Sequence, residues 1–411
     1  MGRSVWTLVD QAASSSSNFV VSLSVLAVAD RGEFAAFSVA LTGFLLVTQL
    51  ARSTFSLPVL ILYSGETGET AGRSAPAVAA SVATGVVGAL AFVLAGVAYE
   101  EGRTLFFVLA CGLPFLQYQD GIRHVAFARG LPKVAAQSDL SWIGLQVGAI
   151  AVAAAVGQPT PAALVVIWVA AGSISGLVFG ARLGVVPRFG RCKQWLADNK
   201  GLCTRMATEF LVNSGSYYAL CYGLVAVAGA DQLGSWRAAQ ALIGPVSVLL
   251  MGGTTLGVPE SVRVRDRHTR LWLLTGLLSV GLAVIAIAGG ALVYAVLPGL
   301  GPELFPDTWR TARPVLPVLT LYAAAVGAST GAVAALRARE QTHWIVVFRA
   351  VSGAGALALG LALATRSGAI GALTGLCVSE ALFGVAAWVR LARTMSQPLT
   401  ESEPSTPRPP R

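Results

Sequence analysis

The chain has 411 residues, of which 55% are hydrophobic and only 12% charged, with a mean hydropathy of +0.69 and a formal net charge of +9. A soluble domain of ordinary composition carries about a quarter charged residues, so a water-soluble enzyme is excluded and lipid is the solvent for much of the chain. The positive charge does not indicate nucleic acid, because the lysines and arginines fall in short links between apolar runs.

Crossing about 30 Å of hydrocarbon takes roughly 20 helical residues. On that scale the first half contains apolar runs at 5–29, 34–57, 76–98, 105–127, 135–156 and 162–184. The first run ends in Ala27-Val28-Ala29, which has the form of a signal-peptidase site. Its polar start, with Asp10, Gln11, four serines and Asn18, favours an uncleaved spanning helix instead. The link 185–206 mixes Arg188, Arg191, Lys193, Lys200 and Arg205 with Trp195 and Leu196, which suits a short interfacial helix on an anionic leaflet. The second half has runs at 207–229, 233–258, 271–297, 314–336, 344–365 and 368–389, before a Pro-, Ser-, Thr- and Glu-rich tail expected to be disordered. The expected architecture is an all-α polytopic membrane protein of about twelve spanning helices. Its units are a six-helix bundle at 1–184, the linker 185–206, a second six-helix bundle at 207–390 and the tail 391–411.

With the N-terminus placed in the cytoplasm, 21 lysines and arginines lie toward the inner face and six toward the outer, with Arg52 and Arg349 inside helices. By the positive-inside rule both termini are cytoplasmic. The halves also echo one another. Asp10 and Ser14–Ser17 in the first helix correspond to Glu209, Asn213, Ser214 and Ser216 in the seventh. Asp30 and Pro58 recur as Asp231 and Pro259, and Arg129 as Arg339. Such repeats place a substrate site at the interface between them.

Ionisable groups within a membrane cost about 3 kcal/mol on insertion scales, so each needs a partner or a purpose. Arg52 and Arg349 have no acid within a helical turn and read as cavity cations able to grip phosphate. Arg123 either pairs with Asp120 one turn earlier or faces the cavity, and Arg237, near the outer surface, reads first as a snorkelling side chain. Glu380, near the midplane, is a site of ion coupling or the counter-charge of an arginine. Asp10, Asp139 and Glu209 lie near helix starts, where a carboxylate suits the helix dipole; Asp10 and Glu209 are also candidates for ion coupling. Ser14, Asn18, Asn213 and Tyr217 are the polar groups expected to line a wet cleft between the first and seventh helices, although such residues also join helices directly. The five cysteines have no metal or disulfide spacing, and the three histidines lie toward cytoplasmic helix ends. No catalytic motif is present, and neither metal nor cofactor is expected.

Several segments carry a family likeness. Trp6-Thr-Leu-Val-Asp10-Gln-Ala-Ala-Ser-Ser-Ser-Ser-Asn18-Phe and Arg31-Gly-Glu-Phe34 resemble the first helix and following link of Wzx-type polysaccharide flippases. Gln119-Asp120-Gly-Ile-Arg123-His-Val-Ala-Phe127-Ala-Arg129-Gly, with Asp139-Leu-Ser-Trp142, resembles the region of their fourth and fifth helices. Trp236-Arg237-Ala-Ala-Gln240, with Gly244-Pro245, resembles their eighth. That family belongs to the multidrug, oligosaccharidyl-lipid and polysaccharide exporter superfamily. The resemblance implies two six-helix bundles around a central cavity that alternates between inward- and outward-open states. It implies a polyprenyl-pyrophosphate-linked oligosaccharide as cargo, a bacterial inner (cytoplasmic) membrane location, and other polysaccharide-assembly membrane proteins as partners. It also implies cationic cavity residues, for which Arg52, Arg123, Arg237 and Arg349 are the positions. The main alternative is an ion-coupled multidrug or metabolite exporter of the same fold. A glycan polymerase or ligase would need a large outer loop, and a major-facilitator transporter the Gly-x-x-x-Asp-Arg pattern that 63–76 lacks.

Overall fold

The computed structural model describes residues 3–64, 70–304 and 306–395, and these form helices without a strand. The tail beyond Met395 lies outside the described residues. Hydrocarbon offers no partner to backbone N–H and C=O groups, so every spanning segment must satisfy its own.

The first half comprises α1 (Arg3–Val28), α2 (Arg31–Ala51) continued through a π-helical turn (Arg52–Ser56) into α3 (Leu57–Tyr63), α4 (Thr70–Ala98), α5 (Arg103–Ala128), α6 (Pro132–Val156) and α7 (Pro161–Leu183). A short α8 (Cys192–Asp198) occupies the link. The second half begins with α9 (Lys200–Phe210), a π turn (Leu211–Gly215) and α10 (Ser216–Ala228), which together make one crossing. This crossing starts seven residues before the run legible in the sequence, because its first turns are too polar to register as apolar. Next come α11 (Ala230–Leu242) and α12 (Gly244–Arg263), α13 (His268–Leu304), the short α14 (Pro306–Ala312), α15 (Leu316–Ala338) and α16 (Thr342–Met395).

Among the described residues, nine helical segments are long and apolar enough to cross a membrane. One of these, α16, holds two crossings, and α1 and the α11–α12 pair bring the total to twelve. Large apolar side chains face outward along α4 (Val86, Val87, Leu90, Leu94 and Val97) and α13 (Leu273, Leu277, Val280 and Val284), the surface expected of helices solvated by lipid. The protein is therefore a multi-pass all-α membrane protein.

The two halves pack alike. In the first, α1 lies on α6, α4 on α5 and α5 on α7; in the second, α10 lies on the first arm of α16, α13 on α15 and α15 on the second arm of α16. The halves meet chiefly along α2 and α11. Arg31 pairs there with Asp231 at 2.9 Å, and Gly234 comes so close that a Cβ on it would lie 3.1 Å from Ala35 Cα. The exposed ion pair contributes little. The tight backbone approach, which a larger residue would have to push apart, brings the two helices into close contact here.

The π turn in the second crossing has an identifiable cause. Pro58 has no N–H and its ring crowds the preceding turn, and the ladder widens just ahead of it, with the Leu57 amide donating to the Arg52 carbonyl. α16 breaks at Ser367 and Gly368, where Gly368 has φ 54° and ψ −130°. The freed N-terminus of its second arm is capped from α11, as Gln232 Oε1 accepts from the Ala369 amide at 2.9 Å. A Cβ at Gly368 would collide with that Gln232 carboxamide. Gly368→Ala is therefore expected to cost about 1–3 kcal/mol, read as a lower melting midpoint of the purified protein; an unchanged midpoint would show that the break carries no such constraint.

Candidate functional site

A cavity of about 420 Å³ lies where α1, α2 and α5 of the first half face α11 and α12 of the second. Helical spacing builds its α1 wall: Gln11, Ser14, Ser15, Asn18 and Ser22 share one face and all line it. Ser17 falls on another face and is structural glue. Its hydroxyl donates to Gln146 Oε1 at 2.9 Å and accepts from Trp168 Nε1 at 3.1 Å. The α2 wall is graded, from Phe34, Phe37, Leu41 and Phe44 to Thr48, Gln49 and Arg52. One side of the cavity thus suits apolar matter, and the other offers hydroxyls, amides and guanidinium groups.

Three of the four expected arginines, Arg52, Arg123 and Arg237, line this cavity, together with Asp120. Their surroundings differ. Arg52 donates to Asp120 Oδ1 from Nε at 3.0 Å and from Nη2 at 2.6 Å, and to Gln49 Oε1 at 3.0 Å. The sequence offered no acid near Arg52; the partner comes from α5. Arg123 is almost fully buried. Its Nε donates to the Asp10 oxygens at 2.9 and 3.0 Å and lies 3.1 Å from Asp139 Oδ2. Asp139 also accepts from Gln119 Nε2 at 2.7 Å. Asp120, expected as the partner of Arg123, stands off at 3.8 Å. His124 is buried beside this group with Nδ1 2.8 Å from the Asp120 carbonyl, so Nδ1 carries a proton.

The dipole-capping role expected of Asp10 and Asp139 is therefore corrected. Asp10 sits two turns into α1, and both carboxylates are buried counter-charges of Arg123.

Arg237, for which snorkelling was the first expectation, is the cavity arginine that has no carboxylate partner among the described residues. Neutral groups hold it: Nη2 and Nε donate to Thr42 Oγ1 at 2.9 and 3.2 Å, and Nη1 to Gln240 Oε1 at 3.1 Å. Gln240 Nε2 in turn donates to the Tyr217 hydroxyl at 3.1 Å, and the guanidinium lies 6.0 Å from the Tyr217 ring centre. Tyr217 thus positions Arg237 from behind and is not among the lining residues.

Arg349, expected in the cavity, is not there. It forms a two-point pair with Glu380 at 2.5 and 3.2 Å, packs 3.7 Å over the Phe383 ring, and shares Glu380 with the Ser329 hydroxyl at 3.0 Å. Of the two roles open to Glu380, the structure shows the counter-charge. Asn213 and Glu209 line a separate cavity of about 290 Å³ with Ser53, Ser214 and Tyr218. The polar first and seventh helices therefore face two cavities, and Gln49 borders both. Glu209 lies near the end of α9, so it does not cap the start of that helix. Reasoning from sequence missed Thr42, Gln49, Gln119 and Gln240. The one available signal was the spacing of Gln240, three residues after Arg237 on the same helical face.

No protein-family model matches the sequence, and no curated protein matches it. Solved structures do. The chain is similar to the lipid II flippase MurJ in an inward closed conformation, with a TM-score of 0.68 at 10% identity over 95% of this chain and 87% of that one. It is also similar to a multidrug resistance MATE family transporter of the MOP superfamily. The inward-facing form gives a TM-score of 0.61 at 11% identity, covering 96% of this chain and 95% of that one. The outward-facing form gives 0.56 at 13% identity, covering 96% and 94%. At these identities the likeness is one of fold, shared with MurJ and the MATE transporter.

Proposed function

We propose that this protein is a flippase of the Wzx type within the MOP superfamily. In this reading it moves a polyprenyl-pyrophosphate-linked oligosaccharide from the inner to the outer leaflet of a bacterial cytoplasmic membrane, with both termini cytoplasmic. The observation that carries it is Arg237, a guanidinium held by neutral acceptors on a cavity wall, where its charge is left for an anion. Arg52 and Arg123 also line the cavity, but Asp120, Asp10 and Asp139 offset their charge, so Arg237 supplies the uncompensated cation. A pyrophosphate meets Arg237 through paired N–H donors. The hydroxyls and amides of Ser14, Ser15, Asn18, Gln49 and Gln119 suit sugar hydroxyls, and the lipid tail stays in the bilayer. The cavity volume is that of a site for one head group, so a longer glycan requires the halves to part.

The second reading, an ion-coupled exporter of small molecules, also has an observation in its favour. Among the described residues, Asp10, Asp120 and Asp139 face Arg52 and Arg123 within the first bundle, a formal excess of one negative charge while His124, 3.5 Å from Asp120, is uncharged. One oxygen each of Asp120 and Asp139 is buried without a hydrogen bond. In this reading a proton carried on the cluster neutralises the excess, which favours Asp139, beside Asp10, as the coupling group over Glu380 or Glu209.

Binding to the purified protein separates the two. A short-chain polyprenyl-pyrophosphate disaccharide is expected to bind, to lose about tenfold or more in affinity as the monophosphate, and to resist displacement by lipophilic cationic drugs. Displacement by such cations, with no preference for pyrophosphate, would favour the exporter.

A further inference from the structure

A third polar cavity, of about 490 Å³, lies at the end of the first bundle between the start of α4 and the linker helix α8. Arg73, Arg188 and Arg191 line it, with Asp198 as the acid among its described residues. The linker is fastened there by several contacts. The Arg188 amide donates to the Ala75 carbonyl at 3.3 Å, and Trp195 Nε1 to the Tyr63 hydroxyl at 2.9 Å. The Cys192 thiol donates to the Pro76 carbonyl at 3.3 Å, and burial pushes its pKa up, which keeps it a donor. Trp195 is buried, and Arg73 stacks 5.2 Å from the Tyr63 ring centre. The arginines are thus arrayed around a fixed aromatic floor and are not simply scattered along a loop.

Two further features point to a ligand and to its source. Gly72 and Arg73 belong to the opening turn of the long α4, whose positive dipole end meets the cavity. Val186 and Phe189, on either side of Arg188, are large and exposed, and they follow the end of the spanning helix α7 at Leu183 by a few residues, where a crossing meets the head-group region. An anion bound between these arginines with apolar side chains beside it fits the head group of an anionic phospholipid.

We propose that this cavity is a binding site for the phosphodiester head group of an anionic glycerophospholipid, held by Arg73, Arg188 and Arg191, which anchors the linker between the two bundles to the leaflet. Each arginine near an anionic lipid phosphate accounts for about a fivefold change in affinity. The test uses the full-length purified protein with dioleoyl-phosphatidylglycerol, dioleoyl-phosphatidylcholine and inorganic phosphate as probes, with retained lipid counted by native mass spectrometry. The unmodified protein is expected to retain phosphatidylglycerol over phosphatidylcholine. Arg191→Gln is expected to weaken retention about fivefold and Arg188→Gln/Arg191→Gln about twenty-fivefold. The Arg191 side chain holds no hydrogen bond or ion pair among the described residues, so the single variant keeps the fold even if the double variant does not. Arg263→Gln/Arg267→Gln, at another basic link, is expected to retain lipid like the unmodified protein. Unchanged retention in Arg191→Gln, an equal loss in the Arg263/Arg267 variant, or displacement of the lipid by equimolar inorganic phosphate would each overturn the proposal.

Discussion

Arg237→Ala is expected to reduce binding and translocation of a pyrophosphate-linked oligosaccharide by roughly ten- to a hundredfold, with the protein still inserted and folded. A charge-assisted hydrogen bond contributes about 1.5–3 kcal/mol, and among the described residues Arg237 has no carboxylate partner whose own burial would complicate its removal. The neighbours left behind, Thr42 and Gln240, are neutral. Thr42 already bonds the Ser38 carbonyl, and Gln240 keeps Tyr217. Arg237→Lys keeps the charge but loses the paired donors, so its activity should fall between the two. Reconstituted vesicles scored for the leaflet position of a fluorescent lipid-linked disaccharide would read the effect. Full activity in Arg237→Ala, with normal protein levels, would remove the observation on which the head-group reading rests.

Arg123→Ala should fail for a different reason. Its loss leaves Asp10 and Asp139 buried with no cation beside them, and breaking a buried pair from one side costs about 3–5 kcal/mol. Against a stability of about 5–15 kcal/mol, that is enough to lower the yield of folded protein in membranes and to drop the thermal midpoint of what remains. The pair is also testable by compensation. Arg123→Met combined with Asp10→Asn and Asp139→Asn removes the stranded charges, and it is expected to recover most of the midpoint while losing any proton-linked transport. Arg349→Ala should destabilise less than Arg123→Ala, because Arg349 is partly exposed and Glu380 retains the Ser329 hydroxyl. Equal midpoints for Arg123→Ala and the unmodified protein would show that the network does not hold the first bundle together.

These contrasts explain which parts of the site could be read from the chain. Arg52, Arg123 and Arg237 stand out because a charge inside an apolar run is costly wherever the helix goes. Their partners do not stand out. Asp10 is 113 residues from Arg123, Asp120 is 68 from Arg52 and Thr42 is 195 from Arg237. The expectations erred in a consistent direction. Arg52 and Arg349 have no acid within a turn of their own helices because their partners come from other helices, and Arg237, near the end of an apolar run, is drawn into the cavity wall by Thr42 and Gln240. With Arg123 and Arg237 placed in the cavity wall, the tally of basic residues becomes 20 against five, so the sidedness bias does not depend on either.

What the sequence determined by itself is the part of the structure governed by solvent. Hydrocarbon imposes length, polarity and helical backbone on each crossing independently of the others, so the twelve helices, their links and even the break before Gly368 are local properties. The cavity is not local. Whether an arginine meets a carboxylate, a hydroxyl or open space depends on which faces of α1, α2, α5 and α11 are brought together, and on the widened turn at Arg52–Ser56 that aims one of them. Only the packed bundle could separate Arg349, neutralised by Glu380, from Arg237, whose charge is left to act.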